Sequence, residues 1–180
     1  MSDQSISIVP RQSSYPEKKA KAKEILDWLI SKDIVKPSLS ECVLSSDKGY
    51  AISEGAKRVT EFPDDLPIDL ITNGLEVITE RQVFHTGENG MDECICPNCN
   101  KDISSEDWSF FNEWAEQKSN NLTCPLCNVA TEIHQLEFSP EWGFSDLGFT
   151  FWNWPNFKDE FISEFKQKLS CDISIVYSHI

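Results

Sequence analysis

The sequence has no long apolar run. No stretch approaches the ~18 consecutive apolar residues that a membrane-spanning helix requires, and residues 1–19 lack the apolar core of a secretory signal. The chain is therefore expected to stay in the compartment where it is made and to have no membrane partner. Its seven cysteines suit a reducing compartment, because an oxidising one would leave an odd thiol unpaired. We expect a cytoplasmic location.

Groups suited to proton transfer are also few. The chain has three histidines, His85, His134 and His179, and only His85 lies beside glycines, in FHTGENG. The sequence contains no Gly-x-Ser-x-Gly elbow, no phosphate-binding glycine loop and no His-Glu-x-x-His pair. We therefore assign no catalytic residue. An enzyme or enzyme subunit that uses acidic loop residues and His85 remains the alternative.

Positive charge is scarce and unevenly distributed. The chain has 16 Lys and Arg against 30 Asp and Glu, a net charge of -14. Residues 37–93 carry four basic and twelve acidic residues, whereas residues 1–36 carry seven and five. The negative electrostatic field of these residues repels nucleic acid and accelerates encounter with a basic protein. The simpler alternative is that the carboxylates only keep the protein soluble.

Two matched cysteine pairs carry the most specific chemical signal in the chain. They are CPNCN at residues 96–100 and CPLCN at residues 124–128. Two residues between paired cysteines let one tight turn direct both sulfurs at a single ion, and zinc takes four such ligands in a tetrahedron. Asn100 and Asn128 stand where a left-handed residue is often needed. The predicted ligands of a structural zinc ion are Cys96, Cys99, Cys124 and Cys127.

These pairs resemble the zinc ribbon or zinc knuckle class, in which two Cys-Pro-x-Cys turns face each other across a metal. The resemblance covers residues 94–128 and implies a closed structural site. Because the class often binds nucleic acid, it also implies a third function, a nucleic-acid-binding ribbon. The long spacer between the pairs predicts a helix that Ser104 or Ser105 caps and that ends near Lys118.

Cysteine pairs of this kind also occur in redox sites, catalytic zinc sites and iron-sulfur clusters. Two matched pairs favour a shared metal over redox use of one pair, and four thiolates leave no open position for a catalytic zinc. An iron-sulfur cluster also uses four thiolates, and the sequence leaves it open. Cys94 could supply a substitute ligand, but its neighbour Cys96 already belongs to a Cys-Pro-x-Cys turn. We interpret Cys94 as a spare thiol.

The ends of the chain share an order of strand, proline, amphipathic helix and strand. The first helix presents one apolar face and follows a possible cap at Ser14, and Pro37 is predicted to end it. The second begins near Asn156. Between them, Asn73-Gly74 predicts a hairpin of residues 68–72 and 75–84. The apolar positions of the two helices are Ala22, Ile25, Leu26, Leu29 and Ile30, then Phe157, Phe161, Ile162, Phe165 and Leu169.

These patterns predict an α+β fold, a mixed β-sheet with two covering helices and an inserted four-cysteine, zinc-ribbon-like module. Residues 1–93 would form an α/β half with a hairpin, residues 94–128 the zinc insert, and residues 129–180 a ββαβ half that completes the same domain. The aromatic run 142–165 is interpreted as core, with an aromatic binding surface as the alternative.

The function expected from these observations is a cytosolic, zinc-stabilised, acidic protein-binding module. A bacterial immunity or antitoxin-like protein that neutralises a basic partner would fit its size and charge. Nucleic acid is a poor partner for such a charge distribution.

Overall fold

A computed structural model describes residues 2–45 and 47–180. Among these residues the helices are α1 (Lys18–Ser31), α2 (Asn112–Ala115) and α3 (Asp159–Leu169). The strands are β1 (Gln4–Pro10), β2 (Val35–Ser40), β3 (Gly49–Ile52), β4 (Leu75–Ile78), β5 (Gln82–Phe84), β6 (Glu93–Ile95), β7 (Asn121–Thr123), β8 (Ala130–Glu132), β9 (Glu137–Ser139), β10 (Gly143–Ser145), β11 (Gly148–Trp152) and β12 (Ile173–His179). This content agrees with the α+β class. No helix in the described ranges is long and apolar enough to span a membrane.

The main sheet has six strands in the order β12-β1-β11-β4-β3-β2. Every neighbouring pair in it is antiparallel, so the prediction of a mixed sheet is wrong. The connection through α1 carries the chain from β1 to the far edge of the sheet, where β2 lies. β1 and β2 run in the same direction, but β11, β4 and β3 lie between them. Because only adjacent strands can pair, β1 and β2 form no parallel pair.

Two helices cover one face of this sheet, as predicted. Ala22, Ile25 and Leu29 are the buried positions of α1. Phe161, Phe165 and Leu169 are those of α3. Both sets belong to one apolar cluster with strand residues that include Ile8, Phe149 and Phe151. The spacing of apolar residues at 3.6 positions per turn predicts these buried positions, because helical geometry places such residues on one side of the helix.

The predicted helix boundaries need correction. Glu17, with a left-handed φ of 55°, precedes α1 and makes no side-chain cap bond, so Ser14 is not the cap. The helix ends at Ser31, and Pro37 lies within β2. At α3 the residue in the cap position is Lys158 rather than Asn156. Neither helix therefore begins with a side-chain cap hydrogen bond.

The predicted hairpin around Asn73-Gly74 does not form. Residues 68–72 contain no strand, and β4 pairs with β11 and β3. The pair is instead a packing site. The Trp154 indole donates to the Asn73 carbonyl at 2.8 Å, and a Cβ on Gly74 would lie 2.2 Å from Cys42 Sγ. Glycine is needed here for close approach and not for a primed turn.

The segment that carries the cysteine pairs forms a second packed region with its own apolar cluster. We call residues 93–139 the cysteine module; it contains the antiparallel pairs β6-β9 and β7-β8. The spacer helix is shorter than predicted, a 3₁₀ turn over Trp108–Phe111 followed by α2. Asp107 caps that turn by accepting from Ser109 N, so Ser104 and Ser105 are not the caps.

The aromatic residues of the run 142–165 are core, as interpreted. Trp142 and Phe144 pack in the cysteine module, while Phe149 and Phe151 pack under the helices. Trp152 points to the opposite face and is 7% exposed. Phe149 and Phe151 therefore share one face of β11 and Trp152 lies on the other, as the alternation of side chains along a strand requires.

Candidate metal centre

Each cysteine pair lies in a tight turn that follows a short strand. β6 leads into the first turn, where the Asn100 amide donates to the Cys96 carbonyl at 2.8 Å. β7 leads into the second, where Asn128 makes the equivalent bond to Cys124 at 2.9 Å. Asn100 and Asn128 have φ angles of 58° and 65°. The left-handed conformation predicted for both is confirmed.

The structure brings the four predicted sulfur atoms together. All four lie within 4.8 Å of one another, and none forms a disulfide. Sγ of Cys96 lies 3.8 Å from Sγ of Cys127, and Sγ of Cys99 lies 3.9 Å from Sγ of Cys124. Each close pair joins one turn to the other. Four thiols in this arrangement could hold one metal ion.

The polar surroundings favour thiolates at part of this cluster. The Asn98 side-chain amide donates to Cys127 Sγ at 3.5 Å and lowers the pKa of that thiol to about 6. Burial raises the pKa of Cys124 to about 11, although the backbone amides of Leu126 and Cys127 donate to its sulfur and partly offset this rise. A bound cation would stabilise the Cys124 thiolate, because metal ligation requires thiolates and releases their protons.

Cys94 lies outside the cluster of four sulfurs. It occupies β6 opposite Phe138, is fully buried, and has its pKa raised to about 12 by burial. A buried thiol with such a pKa behaves as a small apolar side chain. The structure is thus consistent with the interpretation of Cys94 as a spare thiol.

Cys94→Ala is expected to leave the metal content of the purified protein unchanged, because four other thiols lie within reach of one ion. Plasma mass spectrometry of the variant beside the unmodified protein would measure this. A loss of metal in the variant would contradict the assignment of the other four and make Cys94 a ligand.

Trp114 links the cysteine module to the segments that connect the strands of the main sheet to neighbouring elements. Its indole N–H donates to Ser13 Oγ at 2.8 Å, across 101 residues of chain. The Arg81 guanidinium carbon lies 4.4 Å from the centroid of the Trp114 ring, within cation-π range. Arg11 adds a second link, since it donates to the His134 carbonyl at 2.6 Å. Sequence reasoning missed these links because none leaves a local pattern.

His134 and His85 occupy different settings. In His134, Nε2 lies 2.8 Å from the Phe144 carbonyl and Nδ1 lies 2.7 Å from the Glu132 carboxylate, so both ring nitrogens are engaged. Nδ1 of His85 accepts from the Gly87 amide at 3.0 Å. His134 is therefore a satisfied structural histidine, whereas His85 is exposed.

A cavity is the second feature of chemical interest. It has a volume of about 810 Å³ and lies on the face of the main sheet opposite the helices, between the β2-β3 loop and the β4-β5 connection. Glu76, His85 and Trp152 are among its lining residues. The sequence offered one signal, a lone carboxylate at position 76 within an apolar strand.

Comparisons of the chain with models of protein families, with curated proteins and with solved structures find no match.

Proposed function

We propose that the chain is a zinc-stabilised acidic protein that binds a basic protein partner in the cytosol. The observation that carries the proposal is the exposure of its acidic segment. Of the twelve acidic residues between 37 and 93, all but Glu76 are exposed. Within the described residues, only Glu54 among these twelve forms an ion pair. Free carboxylates of one sign attract and orient a partner of the opposite sign.

Structural zinc is the metal that suits the four cysteines best. A tetrahedron with Zn–S bonds of about 2.3 Å separates its sulfurs by about 3.8 Å, close to the two shortest separations here, 3.8 and 3.9 Å. An iron-sulfur cluster would place several irons between the sulfurs and hold them further apart. Because all four positions would be filled by protein, the ion would stabilise the cysteine module and take no part in a reaction.

The narrower role we propose is that of a bacterial immunity or antitoxin-like protein, whose partner is a basic nuclease or another basic toxin. Its support is the size and charge of the chain. Such pairs associate quickly because their opposite fields act before contact. A free-thiol protein of this kind would work in the reducing cytosol.

Binding of a basic probe protein tests the proposal. Cytochrome c and lysozyme are expected to bind the purified chain more tightly than they bind an acidic control protein of equal size. Raising the salt from low to high ionic strength should weaken that binding by at least about tenfold, because exposed charges are screened. Isothermal titration calorimetry would measure both. Equal binding to the control, or binding insensitive to salt, would refute the proposal.

A pair of charge variants localises the effect. Asp64→Asn with Asp65→Asn removes two exposed charges of the acidic segment, and Glu160→Gln with Glu164→Gln removes two exposed charges of α3. We expect the first variant to weaken probe binding more than the second, although the net charge changes equally. The same loss in both would mean that only total charge matters.

A second candidate function is an enzyme that uses His85 and acidic residues. One observation favours it: His85 and Glu80 line the same cavity, where an imidazole and a carboxylate could share proton transfer. If an activity is found, His85→Ala should reduce it, and an unchanged rate would discard this candidate.

A further inference from the structure

Polar side chains form a row across three strands on the face of the main sheet that borders the cavity, and Glu76 is the member of that row that lines the cavity. Glu76 of β4 stands opposite Thr150 of β11, which stands opposite Ser7 of β1. Ser7 and Thr150 share a hydrogen bond of 2.8 Å between their hydroxyls. Trp152 lies two residues beyond Thr150 and thus on the same face. The hydroxyls of Ser7 and Thr150 are therefore paired with each other.

Glu76 and Trp152 each keep a buried polar atom with no hydrogen-bond partner among the described residues. These atoms are Oε1 of Glu76, an acceptor, and Nε1 of Trp152, a donor. Trp152 is only 7% exposed, so bulk water does not readily reach its indole. Buried polar groups in folded proteins are nearly always paired. An unpaired donor and an unpaired acceptor beside one cavity therefore point to a ligand that supplies both partners.

The charges of the lining residues indicate what kind of ligand the cavity would bind. Asp47 and Glu80 line the cavity together with Glu76, and Lys48 is the one Lys or Arg in the described lining. None of these four residues forms an ion pair in the described part of the chain. Burial raises the pKa of Glu76, an effect that a cation beside the carboxylate would oppose. The cavity is therefore suited to a cationic group.

The rim indicates that the cation belongs to a protein. Leu39 and Leu44 line the same cavity and are 56% and 43% exposed. Leu39 lies on β2, one of the two edge strands of the main sheet, so a partner can approach it from the side. Apolar side chains beside a half-buried carboxylate suit an anchor pocket at a protein interface, whereas a free small cation would gain nothing from them.

We propose that this cavity receives an arginine side chain of the basic partner, with Glu76 accepting from the guanidinium and Trp152 Nε1 donating to a main-chain carbonyl of the same partner segment. The inference rests on the proposed function, since it names the place where that partner binds. Arginine fits better than lysine because its planar guanidinium pairs with a carboxylate through two parallel hydrogen bonds.

A small probe tests the pocket without the unknown partner. N-acetyl-arginine methylamide carries a guanidinium and two carbonyls, and its citrulline analogue is the neutral isostere. Titrated into ¹⁵N-labelled protein, the arginine probe should shift the Trp152 indole resonance to saturation, and the citrulline and lysine analogues should bind at least about tenfold more weakly. Equal affinity of either analogue would overturn the guanidinium assignment.

Two variants assign the contacts. Glu76→Gln keeps the shape of the side chain and should weaken the arginine probe by at least about tenfold, while Trp152→Phe should weaken it and remove the indole signal. Glu160→Gln, an exposed position of α3 outside the cavity lining, is the matched control and should change nothing. If Trp152→Phe does not fold, the affinity of Glu76→Gln for the arginine probe alone tests the proposal. Unchanged affinity in Glu76→Gln, or a Trp152 resonance that does not move, would overturn the proposal.

The outcomes separate this inference from the proposed function. If cytochrome c or lysozyme binds in a salt-dependent way but Glu76→Gln binds it equally well, the arginine pocket is wrong and the proposed function stands. If the arginine probe binds through Glu76 while the basic proteins do not bind, the pocket takes an isolated cation, and the assignment to a protein partner is overturned.

Discussion

Replacing Cys124 by serine is expected to abolish metal retention and to unfold the cysteine module. Cys124 is almost fully buried, and its sulfur lies 3.9 Å from that of Cys99. A serine hydroxyl stays protonated and cannot replace a thiolate ligand. Structural zinc sites have apparent binding free energies of ~10–16 kcal/mol at neutral pH, comparable to the ~5–15 kcal/mol stability of a whole domain. Few substitutions elsewhere in the chain would cost as much.

Metal content and circular dichroism together measure this effect. The unmodified protein should contain about one zinc ion per chain, and both Cys124→Ser and Cys99→Ser should contain none and melt at a lower temperature. Cys171→Ser is the control, because Cys171 is a half-buried thiol outside the module. It should keep its metal. Full zinc stoichiometry in both Cys124→Ser and Cys99→Ser would refute the ligand assignment.

Trp114→Ala is expected to have the second largest effect, about 3–5 kcal/mol of lost stability. Trp114 is fully buried, packs edge-on against Phe144 with ring centroids 5.4 Å apart, and donates to Ser13. Removing the indole leaves a cavity and an unpaired serine hydroxyl at the junction between the cysteine module and the main sheet. For a chain of this length the midpoint of thermal unfolding should fall by about 6–20 °C.

Urea denaturation of two further variants identifies the source of that loss. Trp114→Phe keeps most of the apolar contact and loses the hydrogen bond to Ser13, so its cost should be about 1 kcal/mol. Trp108→Ala, at a tryptophan of the same module that is 43% exposed, should cost less than Trp114→Ala. Equal costs at positions 108 and 114 would mean that the junction contributes nothing particular to stability.

Local signals in the sequence were reliable where chemistry depends on a few neighbouring residues. The Cys-Pro-x-Cys spacing predicted tight turns, and both asparagines after them are left-handed. Helical periodicity found the buried faces of α1 and α3, with Leu29 and Phe165 fully buried. In these elements backbone geometry alone fixes which side chains share a side.

Local signals failed where distant segments compete for the same residues. Asn73-Gly74 has the composition of a hairpin turn, yet the Asn73 and Gly74 amides donate to the Cys42 carbonyl. A proline such as Pro37 is typical of a helix end, yet Pro37 lies in an edge strand, where a missing amide proton is tolerated. Tertiary contacts overrode the local preference in both places.

The sequence by itself determined the cysteine pairs, the amphipathic helices and the acidic segment, because each depends on spacing or composition within a short stretch. Only the tertiary structure decided the antiparallel strand order, the Trp114 junction and the cavity that unites Leu39, Glu76 and Trp152. Those features join residues far apart along the chain, and their positions follow from how apolar faces are buried together, which no local pattern records.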